Sequence, residues 1–142
     1  MFKEEVLTLL QIHIVAASGW LGLVAAETVI ELMAKDRAIR QFVANVHKTI
    51  DLYFEGPLVV IVLLTGSLLL YQVWPNASFL LLGKVAAGLI AVVANIVCIH
   101  WVLRRAGAID DNEFYEYAKK VSFTGYSIPF GILALAIGLY GV

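Results

Sequence analysis

The run SFLLLGKVAAGLIAVVANIVCIHWVL, residues 78–103, carries one formal charge, Lys84, among 26 residues. As a helix rising about 1.5 Å per residue it is about 39 Å long, more than the roughly 30 Å hydrocarbon core of a bilayer. A stretch of this length and composition reads as a membrane-spanning helix. Strand is excluded, because an open sheet in lipid leaves its edge groups without partners. Outward from this run, three more apolar segments reach about 18 residues or more: Val6 to Ala34, Pro57 to Trp74 and Val121 to Val142. The expected fold is all-α, a polytopic membrane four-helix bundle in one domain, with helices over about 6–34, 40–74, 78–105 and 110–142. The helical spacing of Arg40 to Phe54 starts the second helix well before its lipid-buried part. Asp110 and Asp111 are placed to cap a short amphipathic helix through Lys120, with Glu113 in its first turn.

Composition supports the same class. Of the 142 residues 61% are hydrophobic and 15% charged, with mean hydropathy +0.88, where a soluble domain carries about a quarter charged residues. The lone cysteine, Cys98, excludes a disulfide framework. Copper handling through sulfur is poorly served, since the only methionines are Met1 and Met33. A net charge of −1 gives no basis for nucleic-acid binding. The first apolar segment is too long for a cleavable signal peptide and runs into polar helix. Asn76-Ala77-Ser78 matches a glycosylation sequon but lies against the membrane, where a chance match is expected.

Eight of the ten basic residues fall in two connections: Lys35, Arg37, Arg40 and Lys48 in the first, Arg104, Arg105, Lys119 and Lys120 in the third. The positive-inside rule puts these connections in the cytoplasm and both termini outside the cell membrane.

Polar residues inside membrane helices are costly, so they mark function. Counted by helical rise, His13 and Lys84 each lie about 9 Å below the outer surface on different helices. His13, Trp20 and Glu27 follow one another by sevens and form one stripe; Lys84, Gly88, Ala91 and Asn95 form another. Gly88 and Ala91 leave room beside Lys84 for a neighbouring helix or a flat ligand, and Gly19, Gly22 and Ala26 do the same near Trp20. A second group, Glu27, Glu55 and His100, falls about 30 Å down, with Glu31 and Asp51 a turn deeper. His47, Asp51 and Glu55, spaced by four, are neighbours on one side of the second helix.

Each feature has two readings. His13 suits an axial haem ligand in a dry bundle core, yet a lone membrane histidine also serves as a hydrogen-bonded packing residue. Lys84 is near enough to the surface to snorkel. The inner group is expected to be a hydrated helix-end network able to pass protons, its carboxylates offset by Arg104, Arg105 and Lys48. Its alternative is a second metal site on Glu27, Glu55 and His100.

Residues 13–20, HIVAASGW, followed by LGL, resemble the first-helix signature of the HemJ-type protoporphyrinogen oxidases. Glu55-Gly56-Pro57 through the Thr65-Gly66-Ser67-Leu68-Leu69-Leu70 run is similar to that family's second-helix pattern. Gly83-Lys84-Val85 resembles the lysine that opens its third helix, and Ile128-Pro129 its last-helix proline. The longer CopD-like copper-resistance proteins share the general pattern. The resemblance covers most of the chain in short motifs. It implies haem b held by His13, with Lys84 as its essential lysine and Trp20 and Lys84 in the catalytic set. The family's arginine near the end of the first helix is missing, with Glu27 and Glu31 there instead. Tyr126-Ser127 replace its Asn-Glu.

The expectation is thus an integral-membrane b-type haem redox protein, a HemJ-like oxidoreductase or a donor of electrons to quinone, with quinone or porphyrin as partner. The alternatives are a membrane protein that transports or handles a copper-like or divalent metal ion, and an accessory subunit of a larger membrane complex. A homo-oligomer is also expected.

Overall fold

A computed structural model describes residues 2–74 and 76–140. The chain is all-helical, and four of its helical rods are long and apolar enough to cross a membrane: Glu4–Met33, Arg37–Val73, Phe79–Ala106 and Asp111–Tyr140. It is a multi-pass membrane protein. The first span is α1 (Phe2–Met33); the second joins α2 (Arg37–Ile50) to α3 (Gly56–Val73); the third is α4 (Phe79–Ala106); the fourth joins α5 (Asp111–Thr124) to α6 (Ile128–Tyr140). The expected helix boundaries hold within a few residues. Pro75 and the expected end of the fourth helix at Val142 lie outside the described residues.

Local chemistry sets the ends. Ser78 caps α4 by accepting from the Leu81 N–H at 3.2 Å, and Gly107 follows its last turn. Asp110 caps α5 by accepting from the Asn112 and Glu113 N–H groups at 2.7 and 3.0 Å. Asp111 is instead the first residue of that helix. The expected amphipathic segment does not stop at Lys120 but runs on into the fourth span.

The two compound spans are interrupted where proline dictates. Pro57 has no N–H, and its ring would strike the carbonyl of Tyr53 in a regular helix. The preceding turn, Asp51–Glu55, widens to a π-helix in which the Gly56 N–H reaches back to the Asp51 carbonyl. A Cβ on Gly56 would stand 3.1 Å from that oxygen, a tight contact that glycine avoids. Pro129 stands in the same relation to Gly125, and the turn there, Gly125–Ser127, tightens to 3₁₀. Thr124 and Ser127 hydroxyls donate to the Val121 and Thr124 carbonyls at 2.6 and 2.7 Å, occupying acceptors around the break.

The spans neighbour one another in chain order, and the fourth closes on the first. First and third therefore face each other across the axis. Trp20, Val59, Ala91 and Val92 form the packed centre. Gly88 and Ala91 do admit a neighbouring helix: a Cβ on Gly88 would meet Ala134 at 3.9 Å, and one on Gly131 would meet Ala91 at 3.7 Å. Val15, Val29, Leu64, Val93 and Ile96 point outward and exposed, as lipid-facing side chains should. Both described chain ends lie at one end of the bundle; the two basic connections form the other, hereafter the basic end.

Candidate functional site

One cavity of about 570 Å³ runs through the bundle, lined by residues from all four spans. It contains His13, Trp20 and Lys84 as well as Glu27, Glu55 and Asn95, so both polar levels read from the sequence open into the same space. Its walls are mainly apolar, the usual character of a small-molecule or cofactor site.

At the terminal end, the His13 Nδ1 lies 2.8 Å from the Thr65 hydroxyl oxygen. That hydroxyl has one hydrogen, which it donates to the Ile61 carbonyl at 2.6 Å. With that hydrogen so placed, the neutral imidazole donates in the first contact from Nδ1, the tautomer that leaves the Nε2 lone pair free. Gly66 makes this placement sterically feasible, since a Cβ there would stand 3.0 Å from His13 Cε1. Lys84 enters from the opposite span and lies along Gly138, whose Cβ would be 2.8 Å from Nζ. Among the described residues Lys84 makes no hydrogen bond or ion pair. Trp20 is 8% exposed, and among the described residues its buried indole N–H has no acceptor.

The two glycines should respond differently to a methyl. Gly66→Ala drives a rigid ring off its Thr65 partner and should destabilise the protein by about 1–3 kcal/mol. Gly138→Ala meets only the end of a flexible side chain and should cost clearly less. Thermal unfolding of the two variants in detergent checks the order; equal melting would contradict this account of the His13 seat.

At the basic end the structure gathers Glu27, Glu31, His47, Asp51, Glu55, Asn95 and Arg105. His47 Nε2 lies 3.2 Å from a Glu27 oxygen and 4.0 Å from an Asp51 oxygen. On the ring's other side, Nδ1 is 3.4 Å from an Arg105 nitrogen and 3.9 Å from a Glu31 oxygen. Arg105, fully buried, donates to Glu31 at 2.6 Å. Asn95 donates to Glu55 at 2.7 Å.

Two expectations are corrected here. His100 is exposed and takes no part in the cluster; His47 holds the place expected for it. His100 shares the depth of Glu27 and Glu55 but not their direction. At about 100° per residue His100 lies about 140° around α4 from the inward-facing Asn95. The cluster also lies deeper than an open helix end: Asp51 and Glu55 are each 1% exposed. Of the three cations expected to offset it, only Arg105 reaches it. Arg104 lies outside and donates to the Tyr117 hydroxyl at 3.3 Å, and Lys48 is exposed.

Thr65 and Asn95, as partners of His13 and Glu55, were not singled out for those roles. The Thr-Gly pair and the Lys84–Asn95 stripe were the available signals. No known protein family, curated protein or solved structure matches the chain.

Proposed function

We propose that this is an integral-membrane haem b redox protein whose cleft takes the porphyrin with His13 as axial ligand. The observation that carries the reading is the Thr65–His13 contact. A ligating imidazole commonly donates its second N–H to a fixed oxygen, which sets the tautomer and orients the lone pair. His13 is held in that state beside an apolar cavity. The other groups suit the same ligand. Lys84 is a cation without a partner among the described residues, matched to an anionic substituent such as a propionate. The Trp20 N–H lacks an acceptor that a ligand can supply. Glu27 and Glu31, which stand where the resembling oxidase family has arginine, are engaged by His47 and Arg105 at the far end. They do not crowd the His13 level.

Haem, when bound, supplies one-electron exchange between its ferric and ferrous states. The chain's own residues do the rest: His13 holds and orients, Lys84 offsets charge, and the apolar walls exclude water. A membrane quinone, apolar with a flat head, or a porphyrinogen fits the lipid-bounded setting as redox partner. The test is a visible spectrum of the purified protein, before and after supplying hemin. A Soret band with sharp reduced α and β bands supports the reading; no absorbance after reconstitution overturns it. A second reading, membrane handling of a divalent cation, draws on the Glu27–His47–Asp51 group at the basic end.

In this reading the basic end is cytoplasmic and both termini are outside, by the eight-residue basic bias of two connections. Reporter fusions at residues 36 and 108 should score as cytoplasmic, and one at residue 76 as external. The reverse pattern would invert the assignment.

A further inference from the structure

We propose that Glu27, His47 and Asp51 form a binding site for one first-row divalent cation of the manganese-to-zinc class, separate from the haem cleft's His13. The His47 Nε2, a Glu27 oxygen and an Asp51 oxygen all lie within 4.8 Å of one another. Two ligands held about 2.1 Å from a common ion stand about 3.0 Å apart at a right angle and about 4.2 Å apart when opposed. The observed 3.2 Å from Nε2 to Glu27 and 4.0 Å from Nε2 to Asp51 fall in that interval. Small rotations of the carboxylates close the remaining gap.

The independent observation is what the buried oxygens lack. Asp51 is 1% exposed, and among the described residues neither of its oxygens has a hydrogen-bond donor. One oxygen of Glu27, which is 5% exposed, and one of Glu55, which is 1% exposed, are also unpartnered. Leaving carboxylates desolvated without a donor or counter-charge is severely unfavourable. Arg105 is committed to Glu31 at 2.6 Å. His47 can offer only one nitrogen to this side. If all four are ionised, four carboxylates facing one guanidinium and one imidazole leave a charge deficit that a divalent ion would fill.

With Nε2 on the ion, the hydrogen moves to Nδ1; the Arg105 nitrogen 3.4 Å away is itself a donor, so the ring must tilt from it toward the unpartnered Glu31 oxygen, 3.9 Å away. A carboxylate behind a ligating histidine is the common supporting arrangement, and Arg105 holds this one in place. One imidazole and two carboxylates favour the harder divalent ions over cuprous copper, which prefers sulfur ligands.

The test uses purified full-length protein, stripped with chelator and titrated with Mn²⁺ under electron paramagnetic resonance. One ion per chain is expected, with nitrogen coupling from a single imidazole. His47→Ala should remove that coupling and weaken binding at least tenfold, and Glu27→Gln and Asp51→Asn should each weaken it tenfold or more. His100→Ala should leave both unchanged. Absence of stoichiometric binding by the unaltered protein, or binding without nitrogen coupling, overturns the site even if a variant fails to fold. Coupling lost on His100→Ala but kept in His47→Ala overturns it as well. A visible spectrum of the same samples keeps this result separate from the haem reading, because loss of one signal leaves the other standing.

Discussion

His13→Ala is expected to abolish haem retention, leaving less than about a tenth of the Soret absorbance of the unaltered protein after identical exposure to hemin. Alanine removes the only imidazole that lines the terminal half of the cavity. The cavity's remaining contribution is apolar contact and Lys84, which position a porphyrin without binding its iron. A Thr65→Val variant isolates how the ligand is held. Valine keeps the shape but removes the oxygen that accepts from Nδ1 at 2.8 Å. Haem should still bind, about 10–100-fold more weakly and with shifted reduced bands, as when a supporting partner of a metal-bound histidine is lost. Lys84→Met should retain the His13 bands but shift the spectrum or remove turnover, since it deletes a charge and not the ligand. Full haem incorporation in His13→Ala would eliminate His13 as the axial ligand.

The spans were legible because lipid permits so little else. Once 78–103 must cross the membrane, only a helix satisfies its backbone, and the other three runs follow by the same rule. The proline positions were legible too, but not the form of their effect. Whether the turn before Pro57 widens or kinks depends on how the Asp51–Glu55 carboxylates pack, and that is decided by the neighbouring spans. At the candidate sites, helical rise placed residues by depth with fair success: His13 and Lys84 enter one cavity from facing spans. Direction around the helix was the missing coordinate. It separates His100 from Glu27 and Glu55, which share its depth. A helical projection of α4 from Asn95 would have excluded His100. The charge balance was misread for the same reason. Arg104 and Arg105 are adjacent in sequence, yet one is exposed and the other has 0% exposure.

That difference makes Arg105→Leu the substitution with the largest expected cost to stability. Arg105, itself fully buried, holds the part-buried Glu31 at 2.6 Å, approaches His47 at 3.4 Å and sits 5.9 Å from the Phe114 ring. Leucine keeps much of the volume but leaves Glu31 without its cation, beside three other carboxylates that each have at least one oxygen without a donor. Removing one partner of a buried ion pair typically costs about 3–5 kcal/mol. For a chain of this size that corresponds to a fall in the melting midpoint of roughly 10 °C. The companion variant decides whether charge is the cause. Glu31→Leu with Arg105→Leu removes both members, and replacing a buried pair by apolar residues is often close to neutral. The double variant should therefore regain most of the lost stability, whereas lost packing alone would make it worse than the single one. Arg104→Leu, one residue away and outside the cluster, should melt with the unaltered protein. Differential scanning fluorimetry of the four proteins in one detergent gives the comparison. A single Arg105→Leu change that leaves the midpoint in place would mean that Glu31 has another source of compensation. In that event the cation deficit at Glu27, His47 and Asp51 would have to be counted again.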